Sequence, residues 1–232
     1  GFNDNYKLVR IDLSGHFADT LGPARQFPDK FISFFNGNSG QLYPSPDGKQ
    51  LYWSEAIPDA RWTVRYTSDL RYSKPFSKSK KTLRHGNWDY NPVPSRDGRR
   101  IAAVGVKPEG GSMLNILDSE NGALMQCLDA PDSLQLVDLA WMGENVVCAT
   151  AISENGFGIY CTELENGNWK VLLRPTPVQM KDLQSDGDRL LFTSDRTGVN
   201  ELYSFRPGDG SIRQLTSTRY GASDYVFDKD RN

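Results

Sequence analysis

The chain has 232 residues, a formal charge of −2, 24% charged and 38% hydrophobic residues. This balance excludes a disordered chain and gives no general pull toward nucleic acid or an anionic membrane. No run approaches the ~20 apolar residues of a membrane-spanning helix, three cysteines do not staple a scaffold, and a chain this long buries roughly 70% of its unfolded surface in a real core.

No window places apolar residues at i, i+3, i+4 and i+7, so helices are not expected. In chain order, residues 6–13 and 18–21, joined by Ser14-Gly15, read as two antiparallel strands. The aromatics Phe31, Phe34 and Phe35 read as core. The turn Pro46-Asp47-Gly48-Lys49 then feeds the run Gln50-Leu51-Tyr52-Trp53. Residues 62–67 read as the next strand, and the Lys-rich stretch 74–81 as an insertion before Thr82-Leu83. The order returns after Arg96-Asp97-Gly98-Arg99, with Ile101-Ala102-Ala103-Val104 and then strands 113–118 and 123–128 about Asn121-Gly122. It returns after Met142-Gly143-Glu144-Asn145, with Val146-Val147-Cys148-Ala149 and strands 158–164 and 169–173 about Asn166-Gly167. The cleanest copy runs from strand 179–184 through Ser185-Asp186-Gly187-Asp188 to Leu190-Leu191-Phe192-Thr193, then strands 201–206 and 212–216. Asp-Gly suits such turns because glycine accepts positive φ and the Asp side chain caps the turn.

The turn glycines Gly48, Gly98, Gly143 and Gly187 recur roughly every 44–50 residues, the mark of a repeat architecture. Four antiparallel strands per copy predict an all-β fold, a β-propeller of four-stranded antiparallel blades. The copies fall at about 6–22 (half), 38–84, 88–129, 135–174, 178–217 and 222–232 (half), in one domain over 1–232. Both chain ends fall mid-blade, which predicts five or more blades and a segment cut from a longer propeller. Each blade covers its neighbour's faces. The second strand of each blade therefore reads continuously apolar, while the outer two should alternate, as Ser204 and Arg206 beside Tyr203 and Phe205 suggest.

The run Tyr43-Pro44-Ser45-Pro46-Asp47-Gly48-Lys49-Gln50-Leu51-Tyr52-Trp53-Ser54 resembles the repeat of TolB-like β-propellers, related to WD40-like Pro-Asp-Gly repeats. The stretch from Leu190 through Ser194-Asp195-Arg196-Thr197-Gly198 to Tyr203 resembles it too, and Arg213-Gln214-Leu215-Thr216 matches its usual end. The tryptophan that often precedes Ser-Pro-Asp-Gly in that family survives only as Trp141. The resemblance spans nearly the whole chain. It implies an exported bacterial envelope protein, periplasmic or at the cell surface. The same repeat builds periplasmic TolB and the propellers of prolyl-oligopeptidase-like and tricorn-like peptidases.

Candidate chemistry is sparse. There is no Gly-x-Ser-x-Gly elbow, and the two histidines, His16 and His85, read as surface residues, so no catalytic residue is assigned. Ser45-Pro46-Asp47-Gly48 lacks the spacing of a sialidase Asp-box. The acidic turns Asp186-Gly187-Asp188 and Asp228-Lys229-Asp230 lack EF-hand spacing, so no metal ligand and no cofactor is assigned. By fold analogy alone, Asp89, Asp138, Asp182 and Asp224 are candidates to face a cation on a propeller axis. Cys148 and Cys161 sit symmetrically about Ser153-Glu154-Asn155-Gly156, which puts them opposite one another on adjacent strands. Two buried thiols are the preferred reading over a cross-strand disulfide. The basic run 78–81, with Arg71, Lys74 and Arg84 nearby, reads as a solvated blade edge rather than a nucleic-acid surface. Asn87-Trp88-Asp89-Tyr90-Asn91 enters the first strand of a blade. Trp88, Asp89 and Tyr90, with Asp138 and Asp224, are the candidate ligand-binding residues of a funnel mouth, for a protein, peptide or glycan.

The reading is a non-catalytic binding scaffold with its ligand over the axial funnel. The alternatives are the substrate-gating propeller of a larger peptidase and a propeller hydrolase with carboxylates in the funnel.

Overall fold

The computed structural model describes residues 9–11, 14, 17–20, 42–58, 61, 66–75, 77, 80–131, 134–223 and 225. Among them every regular element is a strand. The chain divides into two compact units, residues 1–105 with 116–125, and residues 106–115 with 126–232.

Strands β1 (Val9–Ile11) and β2 (Phe17–Thr20) form an antiparallel pair. The next four, β3 (Tyr43–Pro44), β4 (Leu51–Pro58), β5 (Tyr66–Ser73) and β6 (Lys81–Asn87), make a sheet in simple meander order. The same order holds for β7 (Asp89–Pro94), β8 (Arg100–Val106), β9 (Ser112–Asp118) and β10 (Leu124–Asp129). It holds again for β11 (Gln135–Trp141), β12 (Val146–Ser153), β13 (Gly156–Glu163) and β14 (Trp169–Thr176). The last such sheet is β15 (Met180–Ser185), β16 (Leu190–Ser194), β17 (Glu201–Arg206) and β18 (Ser211–Gln214). Four complete four-stranded sheets are therefore present among the described residues. The expected blade count of five or more goes beyond them.

The turn into the second strand repeats atom for atom in the first two of these sheets. Ser45 Oγ donates to Asp47 Oδ1 at 2.6 Å, Lys49 N–H donates to the same oxygen at 3.1 Å, and Gln50 N–H donates to Ser45 Oγ at 2.9 Å. Ser95, Asp97, Arg99 and Arg100 reproduce the set at 2.6, 3.0 and 2.9 Å. Gly48 and Gly98 follow with φ of 67° and 71°, the left-handed conformation that glycine enters without a steric cost. The Ser hydroxyl and the lysine amide hold the Asp47 carboxyl down at about 2.

Sheets pack face to face within each unit. In the first, Tyr52, Leu70 and Leu83 of the β3–β6 sheet meet Ile101, Ala103 and Leu117. In the second, Ala140, Cys148, Ile159 and Cys161 meet Met180, Leu183, Phe192, Tyr203 and Phe205. Each large side chain so buried contributes roughly 1.5–3 kcal/mol. The second strands β8, β12 and β16 carry long buried, mainly apolar runs, whereas β4 also buries Ser54 and Glu55.

Three expectations need correction. The third strand of the first full copy is β5, not residues 62–67; of that window only Tyr66 and Thr67 are described, and both belong to β5. Its centre is Ser68 and Asp69, polar residues that hide a strand from pattern reading and that the fold buries. The third strands do not alternate either. Strands β9, β13 and β17 are buried on both faces, Ser204 included, and the exposed positions concentrate in β10, β14 and β18. Third strands remain between covered faces, whereas fourth strands form the rim.

The third concerns the cysteines. Cys148 and Cys161 are register partners on β12 and β13, as their symmetry about the turn requires, and they are joined in a disulfide rather than left as thiols. Cys127 on β10 is exposed, lies outside the disulfide, and its thiol contacts Met113 Sδ at 3.4 Å. Phe31, Phe34, Phe35, His16, Lys78, Asp228 and Asp230 lie outside the described residues.

Candidate functional site

Two polar clusters stand out, one in each unit. In the first unit the antiparallel register places Glu55 of β4 directly opposite Asp69 of β5. Two acids so placed repel one another, and both are buried. Arg71, two residues along β5 and so on the same face, lies against both: its Nε is 3.3 Å from Glu55 Oε2 and its Nη2 is 2.8 Å from Asp69 Oδ2. Lys80 adds an ion pair to Glu55 at 2.7 Å. Asp69 also accepts the Gly86 N–H at 2.9 Å and holds His85 Nδ1 at 2.8 Å. The His85 ring is thereby oriented by its Nδ1 while the side chain stays 77% exposed.

Part of the basic stretch is engaged within the sheet: Lys80 and Arg71 neutralise buried acids, and Lys81 lies over the Tyr72 ring.

The β6–β7 junction carries three of the expected mouth residues. Asp89 is buried and pairs with Arg84 at 2.7 Å. Ser68 Oγ donates to the Asp89 carbonyl and, at 3.1 Å, to that of Asn87, tying the junction to β5. Tyr90 is buried at 2% exposure, whereas Trp88 keeps 38% of its surface exposed. Asn91 has a φ of 53°, and the register slips between Tyr90 and Val93. Such a bulge re-aims the strand.

In the second unit the first strands carry the same device. The register slips between Leu136 and Asp138 on β11 and between Lys181 and Gln184 on β15. Asp182 sits at a φ of 58°, a conformation that non-glycine residues keep only when the surroundings enforce it. Its N–H donates to Asp138 Oδ2 at 2.8 Å, and its own Oδ2 accepts from Thr193 Oγ1 at 2.7 Å. Asp138 N–H donates to Thr150 Oγ1 at 3.1 Å. Tyr225 Oη donates to the Asp182 carbonyl at 2.5 Å, and Gln184 Nε2 to the Tyr225 carbonyl at 2.8 Å. Burial raises the Tyr225 phenol well above its ordinary range, and the Asp182 and Asp138 carboxylates add to the shift. Asp138 and Asp182 thus bond to the inner-strand bulge and its neighbour strand.

Asp138 is buried at 2% exposure, and Asp224 lies outside the described residues. No group of three or more His, Cys, Asp or Glu is arranged to hold a metal among the described residues, and no helix there is long and apolar enough to cross a membrane. Sequence reading missed Asp69 and Glu55, and placed Arg71 in a solvated basic patch rather than against these acids. A usable signal existed in the Asp69-x-Arg71 spacing, which places opposite charges on one face of a strand.

Meandering four-stranded antiparallel sheets, repeated in register and packed through apolar faces, define the class of β-propellers. No protein-family model and no curated protein matches the chain. Solved structures narrow the class. A TolB protein from Agrobacterium tumefaciens is 22% identical, with a TM-score of 0.59 over 78% of this chain and 62% of that one. TolB from Acinetobacter baumannii is 18% identical, with a TM-score of 0.58 over 75% of this chain and 43% of that one. A puromycin-hydrolyzing peptidase from Mycobacterium tuberculosis is 15% identical, with a TM-score of 0.56 over 77% of this chain and 31% of that one. The fold is that of a TolB-like β-propeller. The chain spans less than two thirds of the length of each of these structures.

Proposed function

We propose that the chain is a non-catalytic binding scaffold of an exported bacterial envelope protein, in the periplasm or at the cell surface. It holds a protein, peptide or glycan over the axial funnel of a propeller with five or more blades. The observation that carries this reading is Trp88. It is a large indole at the entrance to an inner strand, and it is substantially exposed while its neighbours Asp89 and Tyr90 are buried. Tryptophan placed this way offers apolar area plus one N–H donor, the combination that anchors binding surfaces. Asp89 and Tyr90, buried beside it, serve by fixing the inner strand that presents it, and Asp138 and Asp224 are assigned to the funnel mouth from sequence. The fold shared with TolB proteins supports the assignment to an envelope protein.

The test is a screen of the chain and its Trp88→Ala variant on peptide and glycan arrays, with thermal unfolding as the control for folding. Binding lost in the variant at unchanged stability supports the reading. Binding that does not depend on Trp88 refutes it. The structural likeness to the M. tuberculosis puromycin-hydrolyzing peptidase favours a second reading, the propeller of a larger peptidase. Sequencing the complete gene separates the two, because that reading requires a hydrolase domain on the same chain.

A further inference from the structure

The tripeptide Glu-Asn-Gly occurs three times, as Glu120-Asn121-Gly122, Glu154-Asn155-Gly156 and Glu165-Asn166-Gly167. Asparagine followed by glycine can lose its side-chain amide without an enzyme. The glycine backbone nitrogen gives up its proton and attacks the asparagine Cγ, and ammonia leaves. Water then opens the resulting succinimide to aspartate or isoaspartate. Because the three tripeptides are identical, the fold decides which of them reacts.

Two are locked. Asn121 accepts the Ala123 N–H on its side-chain oxygen at 2.8 Å, and the nucleophile it would need, the Gly122 N–H, is engaged by the Asp118 carbonyl at 2.9 Å. Asn166 accepts the Asn168 N–H at 2.9 Å and donates Nδ2 to Glu163 Oε2 at 2.8 Å, while the Gly167 N–H donates to the Glu163 carbonyl at 2.9 Å. In both, the side-chain amide is held toward the residue two positions on, so the Cγ cannot swing back without breaking a bond.

Asn155 differs. It lies exposed in the two-residue turn between β12 and β13. Its backbone N–H donates to Ser153 Oγ at 3.2 Å, and its side-chain amide makes no hydrogen bond among the described residues. We infer that Asn155 is a site of spontaneous deamidation and isoaspartate formation, built into the β12–β13 turn. The product places a second carboxylate beside Glu154. The isoaspartate form also inserts a methylene into the backbone just before Gly156. The added backbone atom falls directly beside the Ser153–Gly156 pair that closes the hairpin, so aged molecules carry both a new charge and a lengthened backbone at this turn.

The experiment ages the whole chain in mildly alkaline buffer and quantifies acid-protease peptides by mass spectrometry. Deamidation at Asn155 is expected to run about tenfold faster than at Asn121 or Asn166, the factor that one net hydrogen bond of roughly 1.4 kcal/mol corresponds to. In denaturant the three rates converge, and Asn155→Gln removes the early acidic variant. Equal or slower reaction at Asn155, or the same ranking in denaturant, overturns the inference.

Discussion

Replacing Asp69 with alanine tests the charge network that underlies the β6–β7 junction. The carboxylate is fully buried, and it faces Arg71, whose side chain is 18% exposed, together with the Gly86 N–H and His85. Removing one partner of a buried pair strands the other in low dielectric and costs about 3–5 kcal/mol. Arg71 keeps Glu55 as a second partner at 3.3 Å, so the lower part of that range applies. For a chain of this size each kcal/mol moves the melting temperature by roughly 2–4 °C. Asp69→Ala should therefore lower Tm by about 6–12 °C, read by circular dichroism. Asp69→Asn keeps an acceptor for Gly86 and should fall between it and the wild type. Glu163→Gln breaks the Lys170 pair, whose side chains are both substantially exposed, and should leave Tm unchanged. If Asp69→Ala shifts Tm no more than Glu163→Gln, the network does not hold the sheet.

Glu201 accepts from Thr216 Oγ1 and from the Thr218 N–H and hydroxyl, and these bonds lower its pKa from 4.5. A depressed carboxylate stabilises fully above its unfolded value and loses that contribution as pH falls through the folded one. Hydrogen-exchange protection factors at residues 218–221 should therefore hold near neutrality and fall as pH drops below 4.5, and Glu201→Gln should flatten this dependence. Gly122→Ala should destabilise far more than Gly110→Ala, because the new Cβ would lie 2.0 Å from the Leu83 carbonyl oxygen, whereas nothing lies within 4 Å at Gly110; urea unfolding of both variants checks this. Peptide mapping without reductant should find Cys148 linked to Cys161, with Cys127 as the cysteine that alkylates.

The repeat was legible because three of the four full copies announce themselves twice, through a Ser/Asp-Gly turn and through the run of the second strand behind it. The fourth keeps a glycine turn at Gly143 before its apolar strand. Those signals are local: Ser45 and Asp47 bond within their own turn, as do Ser95 and Asp97. What stayed hidden depends on partners distant in sequence. Strand β5 carries Asp69 at its centre because Arg71, His85 and Gly86 satisfy it. The Arg71 spacing is local, but His85 and Gly86 come from another strand and no single-strand pattern encodes them. The bond from the Asp182 N–H to Asp138 follows from bulges that shift the register, which alternation cannot anticipate. Trp88 was readable as an aromatic ahead of an inner strand, but its exposure beside a buried Tyr90 is decided by packing.

Photo-crosslinking from a benzophenone amino acid placed at position 88 of the full-length protein, in its native cells, addresses the binding role most directly. The account predicts a discrete protein or peptide adduct from position 88 and none from Ser211 on the exposed rim strand β18. An adduct from Ser211 with none from position 88 would contradict it.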